Sequence, residues 1–162
     1  MRDDSARWDP PGPLSFASDA LTLREVALPR QVTISGIGVL NRFADTLIGW
    51  PDIASTETYA LSLRRDRVLY VGEPGLSSGY DPESGLGVTD MADGYRVLDL
   101  SGPGALEALR RGAELSLDRP SRSVLRRVFG LDLLLYRVGD GQSFRLHVER
   151  AFAQALAAHL RH

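Results

Sequence analysis

Two apolar runs, residues 131–138 and 142–148, flank Gly139, Asp140 and Gly141, and directly after them Phe152, Leu156 and Leu160 recur every fourth residue. The glycine-rich tripeptide is hairpin chemistry, because tight turns between strands need positions that tolerate positive φ. Phe144, Leu146 and Val148 alternate, so one face of the second strand is apolar, and the four-residue repeat that follows is an amphipathic helix. A hairpin with an apolar face must be covered, and the adjoining helix is the nearest cover. The C-terminal third therefore commits the chain to an α+β arrangement. Burying those three large helix side chains in full contributes about 1.5–3 kcal/mol each, so removing the helix is expected to unfold the domain.

The rest of the chain extends this pattern. Residues 95–100 read as a strand, Ser101, Gly102 and Pro103 supply capping and first-turn chemistry, and a helix buries Leu106 and Leu109 before stopping at Gly112. Residues 123–129 form a further strand. The order strand, helix, three strands, helix predicts a mainly antiparallel sheet with helices packed on one face. Earlier, residues 22–28 and 31–35 suit strands, and residues 59–63 and 67–71 flank a charged turn of Arg64, Arg65 and Asp66.

Over 37–50, Ile37, Leu40, Ala44, Leu47 and Ile48 fall at helical spacing, while Val39, Phe43 and Trp50 add more apolar surface than one face needs. Two readings fit the surplus: core beneath a loop, or an intersubunit contact. Residues 72–87 hold five glycines and two prolines and predict a long irregular connector carrying Tyr80, either a binding segment or a surface excursion. Residues 1–18, punctuated by Pro10, Pro11 and Pro13, read as a flexible N-terminal arm, which leaves a single α+β domain over 19–162. Phe43, Trp50 and Tyr80 are the candidate partner contacts.

Composition narrows the chemistry. A chain of 162 residues that is 43% apolar has the means for one core. Its net charge of −2 offers no positive field for phosphates, so nucleic acid is a poor partner. All 19 basic residues are arginine, which removes the lysine of a P-loop and of a Schiff base. With no cysteine there is no thiolate nucleophile, thiolate metal site or disulfide, a usage compatible with the cytoplasm. Asp3 and Asp4 stand where a signal peptide would be basic, and the apolar runs fall short of the roughly 18 residues of a membrane span.

Histidine occurs only as His147, on a strand position read as outward-facing, and as His159 and His162 on the last helix, so neither a catalytic residue nor a metal site is expected. The segment from Ser101 to Gly104 precedes a helix whose first-turn amides either bind an anion or are simply capped. Asp90, Asp93 and Asp99 lie around one strand entry. One of them acts as a base only if its surroundings raise its pKa, and turn and edge positions explain them as well.

Residues 87–118, reading GVTDMADGYRVLDLSGPGALEALRRGAELSLD, carry Asp90, Gly94, Ser101, Gly102 and Pro103 in a shared order and spacing. This stretch resembles the gamma subunit of heterotetrameric sarcosine oxidase and, more widely, the folate-binding aminomethyltransferase (glycine-cleavage T-protein-like) superfamily. Ala92, Asp93 and Ala113 depart from the Ser, His and Cys usual in that pattern. The resemblance implies an accessory subunit without chemistry of its own, packed against large and small flavoprotein subunits. Those partners would carry FAD, FMN, NAD and tetrahydrofolate for oxidation of an N-methyl amine. Two rival readings are a stand-alone folate-binding aminomethyltransferase-like protein and a free-standing interaction module.

Overall fold

The computed structural model describes residues 13–91 and 93–161. In chain order these form β1 (Phe16–Ala17), β2 (Thr22–Glu25), β3 (Gln31–Ser35), α1 (Val39–Arg42), β4 (Leu47–Ile48), β5 (Ile53–Ala54), β6 (Tyr59–Arg64), β7 (Arg67–Val71), β8 (Gly79–Asp81), β9 (Leu86–Asp90), β10 (Tyr95–Ser101), α2 (Ala105–Gly112), β11 (Leu125–Val128), β12 (Leu131–Val138), β13 (Ser143–Glu149) and α3 (Ala153–Arg161). Single 3-10 turns occupy Ala44–Thr46 and Arg150–Phe152.

The strands build two sheets. One runs β1-β2-β10-β13-β12-β11 with β5 added to the end of β12, and the other runs β4-β6-β7-β3-β9-β8. Among the described residues, pairing is antiparallel except where β5 meets β12 and β4 meets β6. The expected architecture, an α+β fold dominated by antiparallel sheet, is the one observed. Helices α2 and α3 cover one face of the first sheet: Leu109, Leu156 and Leu160 pack with Leu98, Leu133, Leu135, Phe144, Leu146 and Val148.

Its other face meets the second sheet. Leu134, Tyr136 and Val138 of β12 point there and pack against Leu61, Leu69 and Val71. A strand that alternates between two apolar surroundings reads as a continuous apolar run, which is the pattern of β12. The far face of the second sheet is covered by the segment around α1, where Val39 and Phe43 lie on Val32, Ile34 and Tyr70.

Several expectations are corrected. The helix expected over 37–50 shrinks to one turn, because Leu47 and Ile48 pair with Ala60 and Leu61, and Trp50 exchanges backbone hydrogen bonds with Ser121 at 2.9 and 2.8 Å. Helical spacing there reflected two strand ends and a core tryptophan, and strand pairing overrode local propensity. Gly49 permits the close pass, since a Cβ on it would lie 2.7 Å from the Ser121 carbonyl oxygen.

Within the expected connector 72–87, β8 and the start of β9 add two strands to the second sheet. Of the arm expected over 1–18, residues 1–12 lie outside the described residues, while Leu14 is buried and Phe16–Ala17 pair with β2. Phe152, expected on the buried face of the last helix, is 47% exposed; the 3-10 entry to α3 turns it outward, and Ala153 and Ala157 take the buried positions.

Candidate functional site

Between the sheets, one set of polar side chains interrupts the apolar packing. The parity that sends Phe144, Leu146 and Val148 of β13 toward the helices sends Arg145 and His147 toward the second sheet. His147, expected to face outward, is fully buried. The error has a simple cause: the presumed solvent face of β13 is itself an interior surface.

Four contacts join these groups. Arg145 lies opposite Asp99 across the β10–β13 ladder and donates through Nε and Nη2 to its two carboxylate oxygens at 2.7 and 2.8 Å. Its Nη1 reaches the Tyr59 hydroxyl of the facing sheet at 3.4 Å. Tyr59 and Tyr136 share a hydrogen bond of 2.8 Å, and the Tyr136 hydroxyl lies 2.8 Å from His147 Nε2.

Arginine has only donors, so the Tyr59 oxygen accepts from Arg145. Tyr59 then donates to Tyr136, and Tyr136 donates to His147 Nε2, because the opposite polarity leaves the Tyr59 hydrogen without an acceptor among the described residues. His147 is thereby the Nδ1–H tautomer, and its Nδ1 has no hydrogen-bond partner among the described residues. The ring of Tyr95 sits against it, edge to face, at 5.9 Å.

Electrostatics hold this chain of groups neutral at its inner end. Burial, with the Arg145 charge adding to it, pushes the His147 pKa down to about 3. Burial also pushes the Tyr136 phenol well above its ordinary value. The bidentate bond to Asp99 holds Arg145 above the usual guanidinium range, so it stays charged. The arrangement orients hydrogen bonds and ties the sheets together; near neutral pH neither its imidazole nor its inner phenol exchanges a proton. At its outer end Asp99 and Arg145 border an open cleft of about 350 Å³ that Arg24 and Ser143 also line.

The residues of the family pattern lie apart from this chain. Asp90 ends β9 and sits 3.5 Å from Arg30. Gly94 forms a turn, its N–H donating to Met91 O at 2.9 Å. Ser101 pairs with Thr22 at the end of β10. Gly102 adopts φ +107° against the Ala20 carbonyl, where a Cβ would approach to 2.5 Å, and Pro103 leads exposed into α2. The Gly104 N–H donates to Ala20 O at 2.9 Å, so this turn docks α2 on the β1–β2 connection.

Asp90, Asp93 and Asp99 face three different arginines, Arg30, Arg150 and Arg145, and form no acidic centre. His159 stacks on Phe129 at 5.0 Å, and His162 lies outside the described residues. No group of three metal-ligating side chains occurs among the described residues. Of the candidate contacts, Tyr80 is 71% exposed, whereas Phe43 and Trp50 are core residues of this chain; Trp50 donates through Nε1 to Leu117 O at 2.8 Å. The apolar side chains the fold does leave outside include Ile37 and Leu115.

No family model matches the sequence, and no curated protein matches it. A solved structure does match: the heterotetrameric sarcosine oxidase from Corynebacterium sp. U-96 in complex with pyrrole 2-carboxylate. The similarity has a TM-score of 0.67 at 24% sequence identity and covers 91% of this chain and 85% of that chain. The two chains share a fold. No helix among the described residues is long and apolar enough to cross a membrane.

Proposed function

We propose that this chain is a non-catalytic accessory subunit, of the gamma type, in a heteromeric sarcosine-oxidase-like complex that oxidises an N-methyl amine in the cytoplasm. The observation that carries the reading is the fold match, over most of both chains, to one chain of a heterotetrameric sarcosine oxidase. Coverage of 91% and 85% makes that chain close to this one in length, the size of a small subunit. The interior supports the same reading: its buried imidazole and phenol are held neutral and serve to join two sheets. The residues of the shared pattern serve local turns, with Gly102 and Gly104 seating α2.

In this reading FAD, FMN, NAD and tetrahydrofolate belong to the large and small flavoprotein partners, and this chain supplies surface. Its test is co-purification of the tagged full-length chain from its native host. The expected result is a stoichiometric complex with two flavin-absorbing polypeptides that releases formaldehyde from an N-methyl amine, while the isolated chain neither turns over the amine nor binds tetrahydrofolate by calorimetry. A flavin-free chain that elutes alone from its host would overturn the proposal, as would turnover by the single chain.

A further inference from the structure

After α2 the chain makes an irregular excursion before β11, and Leu115 on it is 74% exposed. Leu115 borders an open cleft of about 370 Å³, shared with Arg119, Pro120 and Arg126. Arg126 is half-buried there, its guanidinium 5.8 Å above the Trp50 ring. Its Nη1 donates to the carbonyls of Ser123 and Leu125 at 2.9 and 2.6 Å.

The Nε and Nη2 edge of Arg126 bonds to none of the described residues, and neither Arg126 nor Arg119 has a carboxylate partner among them. The two acids of the excursion itself are already paired: Asp118 with Arg110 at 2.5 Å and Glu114 with Arg127 at 3.3 Å. A partly desolvated cation without a counter-charge is costly, and burial indeed depresses the Arg126 pKa. The free edge of a guanidinium is the planar fork that grips a carboxylate with two parallel bonds. Leu115 and Pro120 beside it call for apolar cover.

We propose that this cleft seats an acidic, leucine-bearing segment of a partner polypeptide, its carboxylate on Arg126 and Arg119 and its apolar side chain over Leu115. The proposal deepens the accessory-subunit reading and rests on it for the identity of the partner; the chemistry of the segment follows from the cleft itself. A small free acid would satisfy the arginines and leave Leu115 uncovered, so a polypeptide fits the whole site better.

Trp50 makes the cleft observable. In a full-length Trp8→Phe chain it is the only tryptophan, and a carboxylate drawn onto Arg126 alters the charge above its ring. Titration with a capped peptide alternating Glu and Leu should give a saturable change in Trp50 emission that weakens with added salt. Arg126→Gln should lower the affinity roughly tenfold, the loss expected for a charge-assisted bond. Arg119→Gln and Leu115→Ser, both at exposed positions, should each weaken binding without altering the circular dichroism, which covers the case in which Arg126→Gln disturbs the core.

Any of four results would overturn the proposal: no saturable change, an equal response to the Lys-for-Glu peptide, an equal response to glutarate, or a concentration-dependent dimer abolished by Arg119→Gln, which would make the cleft a self-interface. The titration needs no flavoprotein. A silent cleft beside an intact complex removes this inference alone, and a solitary chain that binds the peptide removes the accessory-subunit reading alone.

Discussion

His147 shows how a single residue type is redefined by its neighbours. A histidine on a strand is ordinarily a group that titrates near neutrality, but here two sheets close over it and, among the described residues, only its Nε2 finds a hydrogen-bond partner. Its pKa falls from the ordinary 6.5 to about 3 in the folded chain. Between those values the unfolded chain takes up a proton that the folded chain refuses. The stability is therefore full above pH 6.5 and declines as the pH falls toward 3, by about 1.4 kcal/mol for each pH unit from this group alone. His147→Gln keeps an acceptor for Tyr136 and removes the titration. Urea unfolding across that range should show a shallower decline for the variant than for the natural chain; equal slopes would refute the assignment. Nothing in the sequence around His147 names its partners, because Tyr59 and Tyr136 arrive from 88 and 11 positions away in the chain and are joined only by sheet-on-sheet packing.

At the scale of elements, local signals succeeded where one surface decided the pattern. The Gly139–Gly141 turn, the bounds of β3, β7 and β12, and the helix after Pro103 were all legible, since turn chemistry and one-sided burial write themselves into short windows. The segment 37–50 was not, because its apolar residues serve three destinations: Val39 the outer face of the second sheet, Ile48 the space between sheets, and Trp50 the layer beneath the helices. The last helix forms where its spacing predicts, but Phe152, the first of its three large apolar residues, does not take the buried position. Leu160 is fully buried and Phe152 is half exposed, so their truncations should differ. Leu160→Ala should cost about 2–5 kcal/mol in chemical denaturation, while Phe152→Ala should cost well under about 2 kcal/mol. A larger loss at Phe152 would contradict the observed entry to α3.

For the whole molecule, the one-sided sheet expected from the sequence turned out to be the middle of a layered body, with helices on one side and a second sheet on the other. The sign of this was present in β12, whose residues Leu133, Leu134, Leu135 and Tyr136 are apolar without alternation. What could not be read was the pairing itself, since which strands meet is set by contacts far apart in sequence. Hydrogen exchange tests the consequence. Amides of β6 and β13, which supply the two facing layers, should exchange only through one shared global opening, with equal free energies and equal denaturant dependence. Separate openings for the two would show that the layers unfold independently.

Residues 47–54 leave one sheet as β4 and enter the other as β5, with Trp50 locked to Ser121 between them. So brief a stitch leaves the two walls no slack to slide or gape. On the accessory-subunit proposal, the fit between this chain and its partner would then be made by the partner, since the β4–β5 stitch ties both sheets together.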